Sequence, residues 1–205
     1  VISPPLTWRE LAERVERVMD DLFRRARNPY LLRLDHGAQA AVTELALLEA
    51  GIPVLSLPAF FTEEQARHAI LVSGASEHPD EAPSSTPSPL PPGTARISFT
   101  SGSTGTPKGV CLSAAHMLAV AASVVEAVGA EHAGRHCALL PPGILLETVA
   151  GFFATMLAGG TYVCPPQAEC GLANPFRPDF ITMATRLAEW RITSLILVPE
   201  DLAGL

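Results

Sequence analysis

The apolar and polar positions along the chain switch between a helical and a strand period. "LTWRELAERVERVMDDLF" carries Trp8, Leu11, Val15, Val18 and Leu22 at helical spacing, so one apolar stripe is expected on one face. Thr7 with Glu10 three residues on forms a capping box at its start. "YLLRL" reads as a strand, and an Ala- and Leu-rich helix follows from about Ala38 to Ala50, stopped by Gly51. "IPVLSLP" is a second strand. Thr62 and Gln65 open another helix with a capping box, and it ends near Gly74. Short connections between strand, helix, strand and helix predict parallel β-α-β units.

From Ala75 to Thr94 the periodicity dissolves. Six of these residues are proline, interspersed with Ser, Glu and Asp. Such a stretch lacks backbone donors and apolar surface, so it is expected to be irregular and exposed. It could separate two domains; a long surface connection within one is preferred, because strand pattern resumes at once. "ARISFT" and "GVCLS" are strands on either side of a Gly-rich loop, and Ser113 can cap the helix "AAHMLAVAASVVEAVG". "HCALLP", "TYVCP" and "SLILVP" are strands; "ETVAGFFATMLAGG" and "DFITMATRLAEW" are helices, the second with Phe180, Ala184, Leu187 and Trp190 on one side. The fold class expected is α/β, a mainly parallel sheet flanked by helices. No repeat of fixed period is present.

Composition narrows the choice of function. At 205 residues and 48% hydrophobic, the chain can bury a sizeable core. A net charge of -7 argues against a nucleic-acid or anionic-membrane partner, which would call for a basic face. No apolar run is long enough to span a bilayer; Ala138 to Val163 comes nearest, but Pro141, Pro142 and Glu147 break it. Cysteines 111, 137, 164 and 170 show no CxxC spacing and no secretory signal opens the chain, so free thiols in a reducing, cytoplasmic compartment are expected. The chain opens on Val1 and stops just after a strand pattern, and is read as a piece of a longer polypeptide.

The chemistry concentrates in "ISFTSGSTGTPKGVCLS", Ile97 to Ser113. Gly102, Gly105 and Gly109 permit backbone angles that other residues avoid and let a ligand approach the main chain. Successive N–H groups in such a turn can form an anion-binding nest. Thr100, Ser101, Ser103, Thr104 and Thr106 add hydroxyls, and Lys108 adds a compact positive charge. This is not the common P-loop: two residues separate Gly102 and Gly105, and Lys108 lies between Pro107 and Gly109. The loop joins two strands, so no helix dipole adds to it. The bland alternative is a surface hairpin rich in turn formers.

Taken as an ordered string, "FTSGSTGTPKGVCLS" resembles the phosphate-binding signature of the adenylate-forming superfamily, which includes acyl-CoA synthetases, adenylation domains and luciferases. "LTWRELAERVERV" is similar to the family's opening helix, and "LLPPGILLETVAGFFATMLAGGTYV" to the region that builds its acyl pocket. The resemblance implies an AMP-forming ligase that activates a carboxylic acid, fatty or otherwise apolar, with ATP and Mg2+. The acyl-adenylate is then passed to CoA or a carrier-protein thiol. Thr100, Ser101, Gly102, Ser103, Thr104, Gly105, Thr106, Lys108 and Gly109 would hold the β- and γ-phosphates, with Thr104 and Lys108 catalytic. Glu147, Phe152 and Phe153 would border the acyl pocket.

The match covers the N-terminal portion of the family's large domain. The family's adenine and ribose segments, its Mg2+-binding Glu and its C-terminal domain with a catalytic lysine have no counterpart in these residues. The chain alone is therefore expected not to complete adenylation. In the family's "LPLxHxxE" segment, Ile144 stands where the His would be, while Glu147 is retained. Glu147 also suits a helix N-terminus through the dipole alone. A nonribosomal-peptide-type adenylation domain is a less favoured variant. The competing classes are a non-catalytic nucleotide-binding or regulatory module and an interaction protein.

Three other groups of residues are less suited to a site. His132 and His136, with Cys137, stand at a metal-pair spacing, but Gly134 between them suggests a loop entering a strand, and no metal site is assigned. His36 before Gly37 reads as a turn residue. Phe152, Phe153 and Met156 fit a core or a pocket equally well.

Overall fold

The computed structural model of the chain describes residues 5–25, 28–58, 60–77, 88–100, 107–174 and 176–205. It divides into two compact units: residues 1–34 with 38–114, and residues 35–37 with 115–205.

The first unit is built on a four-stranded sheet of order β1-β2-β3-β4: β1 Tyr30–Leu32, β2 Val54–Ser56, β3 Thr94–Thr100 and β4 Lys108–Ser113. β1 to β3 run parallel and β4 is antiparallel to β3. Helices α1 (Trp8–Arg25) and α2 (Ala38–Glu49) cover one face, where Leu22, Leu32, Ala46, Leu47, Ile52 and Val54 pack together. Helix α3 (Glu63–Ser73) covers the other, with Leu31, Leu55, Ala69, Ile97 and Phe99. Alternate residues of β1 and β2 thus enter opposite cores, and strands buried on both faces need the near-continuous apolar runs seen there.

The local signals act where the sequence places them. Thr7 Oγ1 accepts the Glu10 N–H (3.2 Å) and Glu10 Oε2 accepts the Thr7 N–H (2.8 Å). Thr62 and Gln65 close the reciprocal box on α3, which ends on Gly74 in the left-handed region. Two expectations need correction. Trp8, at the first position of α1, is 54% exposed, because the stripe reaches the core only from Val15 onward. The stretch 75–94 is not irregular throughout. Ala75 is buried, Ser76 bridges Tyr30, and Thr94 already belongs to β3; residues 78–87 lie outside those described. Because β2 before this stretch pairs with β3 after it, the connection lies within one unit.

Sequence periodicity gave no sign of the pair that ties α2 to β3. Arg96, 1% exposed, donates through Nη1 to Glu44 Oε1 across the sheet face. Two buried charges are tolerated because they meet each other; removing either strands its partner.

α4 (Ala114–Val128) follows β4. The second unit holds a parallel sheet of order β6-β5-β7: β5 Arg135–Cys137, β6 Thr161–Val163 and β7 Ser194–Leu195. Helix α6 (Phe180–Glu189), capped by Asp179, packs Met183, Phe180, Leu187 and Trp190 against Cys137, Leu139, Cys170 and Leu172. Ala184 is exposed and Met183 takes the inner position, so the apolar face is rotated from the one expected. The strands are shorter than their apolar runs. Beyond Cys137 the parallel ladder is replaced by single bonds, Ala138 N–H to the Val163 carbonyl and Gln167 Nε2–H to the Leu139 carbonyl. The last strand spans two residues and is followed by a short helix, α7 (Pro199–Leu202), which the sequence pattern had not separated from it.

The segment from Glu147 is not an ordinary α-helix. Glu147–Phe153 is a π-helix that runs into α5 (Ala154–Leu157). No described helix is long and apolar enough to cross a membrane.

Candidate functional site

Geometry first fixes the ends of the Gly-rich loop. β3 and β4 form a hairpin in which Phe99 opposes Gly109 and Thr100 opposes Lys108, the last pair of the ladder. Residues 101–106 lie outside those described, so Ser101, Gly102, Ser103, Thr104, Gly105 and Thr106 have no placement here. Thr100, Lys108 and Gly109 come together at the hairpin mouth, all three exposed. Lys108 is in β4, at its first position. It is exposed, and among the described residues no carboxylate forms a salt bridge with it.

Gly109 also packs within its own hairpin. A Cβ there would stand 3.0 Å from Phe99 Cζ and 3.3 Å from two further ring carbons. The Cα face of Gly109 where a side chain would stand is thus occupied by the Phe99 ring of the same hairpin. The ring, nearly buried, also meets His68 of α3 edge-on, with centroids 6.4 Å apart and planes at 86°. With its proton on Nε2, His68 donates to the Pro107 carbonyl at 3.2 Å.

The second unit centres on a buried polar network. Glu147, 3% exposed, opens the π-helix and points at β5. Its Oε1 accepts from His136 Nε2 (3.0 Å) and from the Tyr162 hydroxyl (3.3 Å), and its Oε2 accepts the Leu140 N–H (3.3 Å). His136 Nδ1 pairs with the Ser194 hydroxyl at 3.0 Å, and its ring stacks parallel to Tyr162. Gly151 makes the room: a Cβ there would overlap Glu147 Oε1 and lie 2.8 Å from His136 Nε2. Burial first, and the Glu147 carboxylate second, hold the Tyr162 hydroxyl well above its usual pKa, so it remains a donor at neutral pH.

Phe152 and Phe153 are buried; Phe152 packs on Tyr162 with centroids 4.8 Å apart and on Phe153 at 5.4 Å. Glu147 and the two phenylalanines therefore share one neighbourhood around Tyr162. His36 is more than a turn residue: its Nε2 bonds the Leu140 carbonyl at 2.7 Å, so Leu140 is held at both its N–H and its C=O. Sequence reasoning considered His136 only as a metal ligand and passed over Tyr162 and Ser194, since strand residues far apart in sequence give no local signal of one network. His132 is exposed beside Glu131 while His136 is buried, so the two do not converge. Among the described residues no cluster of three or more His, Cys, Asp or Glu is arranged to hold a metal.

All four cysteines are free. The hydrogen bond with Cys170, and then burial, push the Cys137 thiol far up, and burial pushes Cys164 up to about 11. Since the thiolate is the reactive form, alkylation by iodoacetamide at neutral pH is expected first at half-exposed Cys111. Cys164 should follow slowly, and Cys137 and Cys170 only in denaturant. Peptide mass spectrometry checks the order; native labelling of Cys137 at the Cys111 rate would contradict this packing.

Comparison with known proteins places this geometry in context. No curated protein gives a sequence match. Among solved structures, O-succinylbenzoate coenzyme A synthetase (MenE) from Bacillus subtilis in complex with AMP superposes with a TM-score of 0.73 at 19% identity, over 98% of this chain and 57% of that one. The same enzyme in complex with ATP and magnesium gives 0.72 at 20%, over 97% and 59%. The Klebsiella oxytoca NpsA N-terminal subdomain in complex with 3-hydroxybenzoyl-AMSN gives 0.68 at 20%, over 94% and 53%. At such identities these likenesses establish the α/β fold alone, and the chain spans little more than half the length of these structures. The family described as "AMP-binding enzyme" matches residues 75–203, from the Pro-rich connection through the hairpin, the buried network and the last strand. With more than half its residues matched and the hairpin of the phosphate-binding signature in place, the chain belongs to the AMP-binding, adenylate-forming enzymes.

Proposed function

We propose that residues 1–205 are the N-terminal portion of the large domain of an AMP-forming acid–thiol ligase. The observation that carries this reading is the hairpin mouth, where Thr100 and the exposed Lys108 flank the string that resembles the family's phosphate-binding signature, in a chain that matches the AMP-binding family. In the reaction a carboxylate oxygen of the substrate bonds to the α-phosphorus of ATP. The bond from that phosphorus to the bridging oxygen breaks, and pyrophosphate leaves with the electron pair. Such a step depends on positioning and on offsetting charge at the departing oxygens. Thr100, Ser101, Gly102, Ser103, Thr104, Gly105 and Thr106 offer N–H and hydroxyl donors to the β- and γ-phosphates, and Lys108 the cation. We assign Gly109 to packing under Phe99. Mg2+ ligands are proposed to come from outside residues 1–205.

The acid is proposed to be apolar. Phe152 and Phe153 lie in the neighbourhood that the family likeness assigns to the acyl pocket, and Glu147 is proposed to hold the Leu140–Leu146 wall in place through Leu140. O-succinylbenzoate and 3-hydroxybenzoyl, which name the enzyme and the ligand of two similar structures, are aromatic, so aromatic acids join aliphatic ones as candidates. The acceptor is proposed to be the thiol of CoA or a carrier protein, and a cytoplasmic location accords with four free cysteines.

The test is acid-dependent exchange of pyrophosphate into ATP by the full-length protein, with aliphatic and aromatic acids offered in turn. Exchange with at least one class, and little with residues 1–205 alone, is expected. ATP binding by the full-length protein without exchange for any acid would instead favour a non-catalytic nucleotide-binding module.

A further inference from the structure

We propose that His68 is a positioning residue for Lys108, fixing the direction in which its ammonium leaves the hairpin. The inference rests on the reading of Lys108 as a phosphate-binding cation; the geometry of His68 is independent of it.

His68 sits on an element with little freedom. α3 is closed at its start by the reciprocal Thr62–Gln65 box and at its end by Gly74, whose N–H bonds the Ile70 carbonyl. Ala69, the next residue, is fully buried against the sheet. From this base the imidazole touches both stems of the hairpin. Its Nε2–H bonds the carbonyl of Pro107, the residue before Lys108, and its ring edge meets Phe99, the residue before Thr100. Phe99 in turn lies over Gly109, the residue after Lys108.

Lys108 is therefore bracketed. Pro107 is buried, its φ fixed by its ring and its peptide plane fixed by His68. Gly109 packs on one side against the Phe99 ring, and the Lys108 side chain is exposed. A lysine is a flexible stem with a point charge, so a scaffold can aim it only by fixing its backbone. A helix that reaches 39 residues along the chain to hold the preceding carbonyl does that.

The test compares His68→Phe with His68→Gln in the full-length protein. Phenylalanine keeps the edge contact with Phe99 and loses the donor; glutamine keeps a donor. KM for ATP in pyrophosphate exchange should rise about 2- to 10-fold in His68→Phe, the scale of one hydrogen bond. His68→Gln should recover most of it. Transfer from preformed acyl-adenylate to thiol, and the thermal midpoint, should stay near wild type in both. An unchanged KM in His68→Phe, equal loss in both half-reactions with a lowered midpoint, or no recovery in His68→Gln would each overturn the proposal. Lys108→Ala, run alongside, separates the two levels. If it slows exchange while His68→Phe does not, only the role of His68 fails; if Lys108→Ala leaves exchange untouched, the phosphate reading fails and the positioning role with it.

Discussion

Replacing Lys108 by Ala in the full-length protein is expected to slow adenylation about 10- to 150-fold, while thioester formation from preformed acyl-adenylate remains close to wild type. The range follows from a charge-assisted bond worth about 1.5–3 kcal/mol in the transition state. Lys108 stands at the first position of β4, exposed, and without a carboxylate neighbour among the described residues to neutralise it. Its charge is then available to the phosphate oxygens on which charge builds as pyrophosphate departs. In the second half-reaction pyrophosphate has already left, so the same side chain has nothing to offset. Lys108→Arg should restore the rate only partly, because a planar fork does not replace a compact ammonium. The two steps are separated by exchange and by single-turnover transfer. Equal slowing of both counts against a phosphate role, and no slowing of either ends it.

The largest effect on stability is expected at Glu147. Glu147→Ala removes the acceptor of three buried donors at once: His136 Nε2–H, the Tyr162 hydroxyl and the Leu140 N–H. A buried donor left without its partner costs about 1–3 kcal/mol, and several donors lose theirs together here. Glu147→Gln keeps an acceptor oxygen and should cost less. Gly151→Ala places a methyl group against the same carboxylate and is expected to cost about 1–3 kcal/mol by overpacking. Since both changes strike one network, the double variant should lose less than the sum of the two. Urea unfolding of the wild type and the four variants reads these differences. A cost below about 1 kcal/mol for Glu147→Ala would show that the network does not hold the second unit. Loss of exchange in Glu147→Gln with unchanged stability would point to substrate contact instead.

The elements that local chemistry specifies were legible before any coordinates. The boxes at Thr7–Glu10 and Thr62–Gln65, the stop at Gly74 and the strand–loop–strand form around Lys108 each depend on residues a few positions apart. Hydrogen bonds over three or four residues leave their mark in the sequence as fixed spacings. The ordered string from Phe99 to Ser113 likewise marked the family, because several residue types at set distances rarely coincide by composition alone.

What partners these elements choose was decided by tertiary structure. Arg96 read as one polar position in a strand, and only the placement of α2 over the sheet brings Glu44 to it. Gly109 read as one glycine of a loop, and only the antiparallel register with β3 shows the Phe99 ring packed against it. Glu147 read as an acid suited to a helix start; the strands carrying His136, Tyr162 and Ser194 turn it into the centre of a buried network, with Gly151 and a π-helical turn making the space. The physical reason is common to all three. A side chain's partner across a sheet or under a helix depends on register and packing, and residues that are many positions apart share no periodic signal that a single sequence could display.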